Sequence, residues 1–375
     1  MKPHICFVAE QRAAYGLLTG EACESVGGAE LQQTLIASAL QKLGYTITFL
    51  VPDLGQPMKV VTEQRITLIK TRPPVVSDGG MARFAKDFIR LFKAMRIADA
   101  DIYYQRTSAN LTGITALFCK LNGRQFVFSV AHNMDLDNEL RLKIKGRKEP
   151  LYKYGLNHAD AIIVQTDDQL RLLRENAGRD GMLIRSTYLP PDDTERTIPQ
   201  EHVLWVGNFR TVKRPDMFLD LADRLPDYRF VMIGGVAKEE PLVYENTSER
   251  AKSMPNVQLV GAVPYKEVGR YFAGALVFVN TSLSEGFPNT YLQAWCRGVP
   301  VVGTFDADEL ISKHDLGKHC RDVGEIADAV KAYMENKKLC ESTGERAVRY
   351  VRERHSPDAV AAQYDRIFTQ LHEKR

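Results

Sequence analysis

Ala275-Leu276-Val277-Phe278-Val279 runs on through Ser282-Leu283-Ser284-Glu285-Gly286-Phe287-Pro288-Asn289-Thr290-Tyr291-Leu292-Gln293-Ala294-Trp295 to Arg297-Gly298-Val299-Pro300-Val301-Val302, and the fold turns on this stretch. An apolar run of strand length passes through a polar loop into a short helix over Asn289–Arg297. Arg297-Gly298 closes that helix before the next apolar run begins. Such a strand, loop, helix and strand belong to a parallel sheet covered by helices. The start of the helix offers backbone N–H groups and the positive end of a helix dipole, a ready seat for an anion. Glu285 beside that seat cannot hold the anion, because like charges repel. It is placed to accept hydrogen bonds from hydroxyls attached to a phosphate, and phosphate with hydroxyls means a nucleotide-activated sugar.

Outward from this stretch the same alternation fills the chain. Strands are expected at His4–Ala9, Thr46–Val51, Asp101–Tyr104, Phe126–Val130 and Ala161–Val164. Between them lie helical patterns near Ala29–Leu43, Met81–Arg96, Ala109–Leu121 and Asp167–Ala177. A polar, proline-bearing linker, Tyr188-Leu189-Pro190-Pro191-Asp192-Asp193-Thr194-Glu195, breaks the pattern. It restarts with strands at His202–Val206, Arg229–Ile233, Val257–Val260, Leu276–Val279 and Pro300–Gly303. Helices follow near Pro215–Leu225, Tyr265–Phe272 and Val323–Glu335. The reading is α/β: two Rossmann-like domains in tandem, residues 1–190 and 191–356, with a cleft between them. A last helix opens at Ser356-Pro357-Asp358.

The 375 residues are long for one core and comfortable for two. A hydrophobic share of 44%, a charged share of 26% and a mean hydropathy of -0.26 are those of a soluble globular protein. No stretch reaches the roughly 18 consecutive apolar residues of a membrane span. Met1-Lys2-Pro3-His4 leads straight into a strand, so no signal peptide is expected. Cys6, Cys23, Cys119, Cys296, Cys320 and Cys340 are scattered without a CxxC, which fits reduced, mostly buried thiols in the cytoplasm. A net charge of +3 is too small for wholesale nucleic-acid binding.

Further candidates sit where strands give way to helices. Val206-Gly207-Asn208-Phe209-Arg210-Thr211-Val212-Lys213-Arg214-Pro215 is the first such turn of the second domain, at the edge where open α/β sheets take ligands. Arg210, Lys213 and Arg214 would suit a diphosphate, although an ordinary solvated turn has the same composition. Gly27-Gly28, after a long irregular loop Gln11–Ser25, lets a backbone approach a ligand closely. It is not GxGxxG, so a dinucleotide site is unsupported. His132 falls at the tip of Phe126–Val130, where loops carry ligand contacts. Recognition of a nucleotide base is assigned to backbone near Gly234, Gly261, Ala262 and Val263. No Asp-x-Asp or His/Cys set calls for a metal, and no cofactor is expected.

The helix Met81–Arg96 spaces Arg83, Lys86, Arg90 and Lys93 three and four apart, with Phe84, Phe88, Leu91, Phe92 and Met95 on another face. A helix packing its apolar side on the sheet explains this pattern; so does one resting on an anionic membrane. A second basic run, Arg141–Lys148, follows His132.

These motifs together resemble the retaining GT-B glycosyltransferases of family four, the group 1 enzymes that include many acting on bacterial polysaccharide and lipopolysaccharide. The resemblance spans nearly the whole chain: the glycine loop, His132, Ala159–Thr166, the Gly207–Lys213 turn and the Glu285 segment. It implies a GT-B architecture, sheets facing across a cleft and the 357–375 helix returning to the first domain. It implies His132, Lys213 and Glu285 as catalytic residues. Donor contacts would come from Gly27, Gly28, Gly207, Asn208, Arg210, Gly286, Phe287, Pro288, Asn289, Thr290 and Gln293. The implied activity is metal-independent transfer from a nucleoside diphosphate sugar to a glycan or lipid-linked saccharide in cell-surface polysaccharide synthesis, at the cytoplasmic face of the membrane. Two positions depart from the family pattern. Gln293 stands where the family has a second Glu, and Asn208 where it usually has Arg. They motivate the alternative of a non-catalytic nucleotide-sugar-binding homologue; a nucleotide-sugar epimerase would need more acid and base groups than His132 and Glu285.

Overall fold

The computed structural model describes residues 2–21, 26–73, 81–136, 148–188, 191 and 200–374. The chain divides into two compact units, Met1–Thr187 with Pro357–Arg375, and Tyr188–Ser356.

The first unit is built on eight strands: β1 (His4–Val8), β2 (Thr46–Val51), β3 (Lys59–Val61), β4 (Thr67–Lys70), β5 (Ile102–Arg106), β6 (Gln125–Ser129), β7 (Ala161–Val164) and β8 (Met182–Leu183). They lie in the order β3-β4-β2-β1-β5-β6-β7-β8. All pair in parallel except β3, which returns antiparallel on β4 with Lys59 opposite Ile69. The central strands are buried along nearly their whole length, which is why they read as unbroken apolar runs rather than alternating ones. The β3–β4 hairpin escapes sequence reading because β3 is three residues long and partly exposed.

Among the described residues, six α-helices of this unit precede the linker: α1 (Arg12–Thr19), α2 (Gly28–Lys42), α3 (Met81–Ala98), α4 (Asn110–Asn122), α5 (Lys148–Asn157) and α6 (Asp167–Ala177). The stretch from Gln11 is therefore not the irregular loop that its composition indicates: Ala13, Ala14, Tyr15 and Leu18 are buried in a helix ended by Gly20 in the left-handed conformation. Residues 22–25, the greater part of the Arg141–Lys148 run and most of the Tyr188–Glu195 linker lie outside the described residues.

The second unit carries β9 (His202–Val206), β10 (Phe230–Ile233), β11 (Val257–Gly261), β12 (Ala275–Asn280), β13 (Val301–Gly303) and β14 (Gly317–His319), all parallel, in the order β11-β10-β9-β12-β13-β14. Its helices are α7 (Pro215–Arg224), α8 (Pro241–Lys252), α9 (Tyr265–Ala273), α10 (Asn289–Trp295), α11 (Leu310–His314), α12 (Val323–Glu335) and α13 (Lys337–His355). Two apolar layers flank the sheet: Leu204, Phe278, Tyr291 and Trp295 on one face, Trp205, Phe209, Phe218 and Phe230 on the other.

The final helix, α14 (Pro357–Glu373), belongs to the first unit. Val360, Tyr364, Ile367, Phe368 and Leu371 enter the layer formed by Ile36, Ala37 and Leu40 of α2 with Phe7, Phe49 and Tyr104 of the sheet. Tyr45 donates from its hydroxyl to Asp365 at 2.6 Å. Each of these apolar side chains contributes about 1.5–3 kcal/mol by leaving water, so α14 is part of that core. Cys6, Cys119, Cys296, Cys320 and Cys340 are buried and form no disulfide with one another, and burial pushes the thiols of Cys6 and Cys119 well up. Cys23 lies outside the described residues. Among the described residues no helix is long and apolar enough to cross a membrane.

Candidate functional site

In the second unit the chain steps from β9 towards β10 and β11 on one side and then crosses to β12 on the other, so the β9/β12 pair is the switch point of the sheet. Loops leaving two neighbouring strands in opposite directions open a crevice at their carboxyl ends, and ligands of open α/β sheets bind there. The two segments singled out by sequence leave those two strands. The Gly207 turn follows β9, and the Glu285 loop follows β12.

They are stitched together through their backbones. Leu283 N–H donates to the carbonyl of Val212 at 2.9 Å. The Thr281 hydroxyl lies 2.7 Å from the Lys213 carbonyl and 2.9 Å from that of Arg214, and it accepts from the Trp205 indole N–H at 3.1 Å. Arg214 takes the left-handed conformation, φ 49°, and Pro215 then starts α7. This geometry brings the Lys213 ammonium onto Glu285 Oε1 as an ion pair. Ser282 Oγ donates to the same oxygen at 2.7 Å. Glu285 is only 8% exposed, so its carboxylate is held rather than solvated. Thr281 and Trp205 had no sequence signal of their own, and Ser282 lay in the quoted stretch without a role: their part in the site depends on which strand lies beside which.

The glycines assemble as a second layer. Gly207 N–H donates to the Ile233 carbonyl at 3.0 Å, and Gly234 N–H to the Gly261 carbonyl at 2.9 Å. A Cβ on Gly234 would stand 1.7 Å from the carbonyl oxygen of Gly207, so these strand tips touch backbone to backbone. Ala262 and Val263 continue from the β11 tip, Ala262 exposed and Val263 half-buried. Gly286, Phe287 and Pro288 are buried, and Asn289 and Thr290, half-buried, open α10.

Other expected residues point elsewhere. Arg210 pairs with Glu239 at 3.3 Å, and Thr211 donates twice to Glu240, from its N–H at 2.8 Å and its hydroxyl at 2.5 Å. Asn208 is exposed at the turn. Gln293 faces the Tyr265 hydroxyl of α9 at 3.5 Å, while its carbonyl accepts from Arg297 at 3.0 Å. Burial pushes the Tyr265 hydroxyl up; Gln293 and the Arg297 charge pull it back.

His132, in the first unit, caps the short turn Asn133–Asp135 after β6. Its Nδ1 accepts from the Met134 N–H at 3.1 Å, which leaves Nε2 as the protonated nitrogen of the neutral ring. Asp135 Oδ2 fixes the loop by accepting from the backbone N–H groups of Ala131 and His132, at 2.8 and 3.0 Å. At the start of α2, a Cβ on Gly27 would lie 2.2 Å from Glu30 Oε2: the Glu30 carboxylate folds back on the helix N-terminus. On α3, Leu91 and Met95 are buried, but Phe84 and Ile89 are exposed beside Lys86 and Arg90. Asp87 meets Arg72 at 3.1 Å and lies within 4 Å of Arg83 and Arg90.

Two Rossmann-like units with parallel sheets define the GT-B architecture, and solved structures agree. Sucrose-phosphate synthase from Thermosynechococcus elongatus matches with a TM-score of 0.80 at 16% identity, covering 100% of both chains. Alr3699/HepE of Anabaena, solved in complex with UDP-glucose, matches with a TM-score of 0.75 at 14% identity, over 98% of this chain and 100% of that one. By sequence, an uncharacterized glycosyltransferase of Haemophilus influenzae is 22% identical over 287 residues, 74% of this chain and 77% of that protein. Residues 200–336 match the family model of glycosyl transferases group 1, and residues 27–185 that of the glycosyl transferase 4-like domain. The chain belongs to the group 1, family-four type glycosyltransferases.

Proposed function

We propose that this glycosyltransferase moves a sugar from a nucleoside diphosphate sugar to a hydroxyl of a glycan or lipid-linked saccharide, with retention at the anomeric carbon and without a metal. The observation that carries the reading is the Lys213–Glu285 pair at the β9/β12 switch point, beside the strand-tip glycines Gly207, Gly234 and Gly261. A cation and a carboxylate so placed divide the two halves of such a donor between them. On donor binding the diphosphate takes over the Lys213 ammonium, and sugar hydroxyls donate to Glu285. Lys213 then stabilises the charge that develops on the leaving diphosphate, helped by backbone N–H groups over Phe287–Thr290. Arg210, held by Glu239 in the free protein, exchanges that partner for phosphate. Backbone at Gly234, Gly261, Ala262 and Val263 receives the base, and Gln293 bonds ribose hydroxyls as an amide, without the charge of a carboxylate. His132 offers Nε2–H to a sugar hydroxyl, and Gly27 and Gly28 allow close approach of the α2 N-terminus to substrate. The UDP-glucose bound by the Anabaena protein supports a donor of this class.

A thermal-shift screen against UDP, GDP, ADP and dTDP sugars, followed by nucleoside diphosphate release and NMR of the product's anomeric proton, tests this reading. Binding without release from any donor would select the non-catalytic alternative, and an inverted product would remove retention. Exposed Phe84 and Ile89 among the cations of α3 support docking on an anionic membrane during synthesis of a cell-surface polysaccharide. Flotation with anionic but not neutral liposomes is the expected result, and failure with both rules docking out.

A further inference from the structure

Lys213 closes a three-residue turn, Thr211–Lys213, that belongs to no strand or long helix, so something outside the turn must fix its place. The tip of β12 does this. It takes up three successive carbonyls: Leu283 N–H donates to that of Val212, and the Thr281 hydroxyl reaches those of Lys213 and Arg214. Within the turn, Lys213 N–H donates to the Arg210 carbonyl at 2.9 Å and Arg214 N–H to that of Thr211 at 3.1 Å. The Lys213 backbone is therefore bound through both its N–H and its carbonyl, and only its side chain is left to turn. The left-handed φ of 49° at Arg214 is a conformation that a residue with a Cβ keeps only where its surroundings over-determine it.

A threonine hydroxyl carries one proton, which rotates until a partner fixes it. The Trp205 indole N–H can only donate, and it fills the acceptor side of Thr281 at 3.1 Å. The hydroxyl proton is thereby aimed at the two carbonyls. Thr281 is 1% exposed and Trp205 2%, so bulk water does not compete for these bonds. A hydroxyl that served only to finish a strand end would need one partner; this one meets three, one on β9 and two on the turn that follows it. A Cβ on Gly207 would stand 3.4 Å from the Trp205 ring and 3.9 Å from Cδ of Lys213, so the ring and the lysine stem flank the same glycine. Ser282, the next residue, donates to Glu285 Oε1 at 2.7 Å. Consecutive hydroxyls thus reach both members of the ion pair, one through the backbone and one directly.

We propose that Thr281, oriented by Trp205, is a positioning residue for Lys213: it sets where the ammonium stands against the leaving diphosphate without touching substrate itself. This rests on the transferase reading above and adds a residue to its machinery. The test is calorimetry on the full chain with UDP, GDP, ADP and dTDP and with their monophosphates. The charge that the leaving group gains falls on its terminal phosphate, which a monophosphate lacks. Thr281→Val keeps the shape of the side chain and removes the hydroxyl. It is expected to weaken the bound diphosphate about tenfold and its monophosphate less than about twofold. Thr281→Ser restores diphosphate binding to within about twofold, and Trp205→Phe, which removes only the N–H and part of the ring, loses about threefold. In a Lys213→Ala background, Thr281→Val has no further effect, because there is no ammonium left to place. Should Thr281→Val not fold, Trp205→Phe in the two backgrounds carries the same comparison. Normal diphosphate affinity in a Thr281→Val protein that only melts earlier overturns the assignment. So do equal losses for monophosphate and diphosphate, failure of Thr281→Ser to restore, or a full Thr281→Val effect without Lys213. Diphosphate binding that survives Lys213→Ala removes the role of Lys213, and this one with it; a wild-type protein that takes no nucleotide removes the transferase reading as well. Loss in Lys213→Ala but not in Thr281→Val or Trp205→Phe removes this assignment alone.

Discussion

The two sheets present contrasting carboxyl edges. In the second unit, Gly207 and Gly234 bring strand tips into backbone contact, and a lysine answered by Glu285 stands at the crevice. In the first, Arg72 is paired with Glu10 and Asp87, and Arg106 donates to the Ser129 hydroxyl. The same kind of sheet edge therefore carries a lysine–glutamate pair in one unit and an arginine held by two carboxylates in the other. The strands fix where a site can be; the charges left over after internal pairing fix what it can hold.

Four outcomes would break or sharpen that contrast. Lys213→Ala is expected to lower turnover by about 10²–10³-fold while circular dichroism stays native, since it removes charge stabilisation and leaves the core intact. Near-normal nucleoside diphosphate release would end its role. Glu285→Gln keeps the shape but frees the ammonium; about 10–100-fold in turnover is expected, less than for Lys213→Ala. In a double-mutant cycle on thermal stability the pair should couple by about 0.5–3 kcal/mol, and strict additivity would show the ion pair to be energetically idle. Gly234→Ala places a methyl 1.7 Å from the Gly207 carbonyl oxygen. It should cost about 1–3 kcal/mol in denaturant unfolding and weaken nucleotide binding; unchanged affinity would separate the glycine layer from the donor site.

The smallest effect belongs to the opposite edges, where the contrast disappears. His4 begins β1 and His202 begins β9, and burial lowers both below the ordinary histidine value of 6.5. A folded value below the unfolded one means that the native state binds fewer protons. Stability from these groups is present above the unfolded value and is lost as pH falls from about 6.5. Replacing both with Gln should flatten the melting temperature between about pH 7 and 5, and an unchanged slope would assign it to carboxylates instead.

Much of the fold was legible because buried parallel strands are apolar along their length. Thr46–Val51, Ala161–Val164 and His202–Val206 can be read to the residue. Among what escaped, several elements were short, half-exposed or without clean periodicity, such as β3, the β14 edge strand, α1 and α8. Glu285 and Lys213 could be chosen from their motifs, but not their mutual pairing, 72 residues apart in sequence. Arg210 read as a phosphate ligand on charge alone, and Glu239 beside it was invisible for want of a contact map.

By itself, then, the order of apolar runs and glycine turns determined two α/β units and the loops that carry chemistry, because hydrophobic period and turn geometry are local properties. Only the tertiary structure decided which charges cancel and which unit the last helix completes. Those depend on strand order and on burial, and neither is written in any single stretch of the chain.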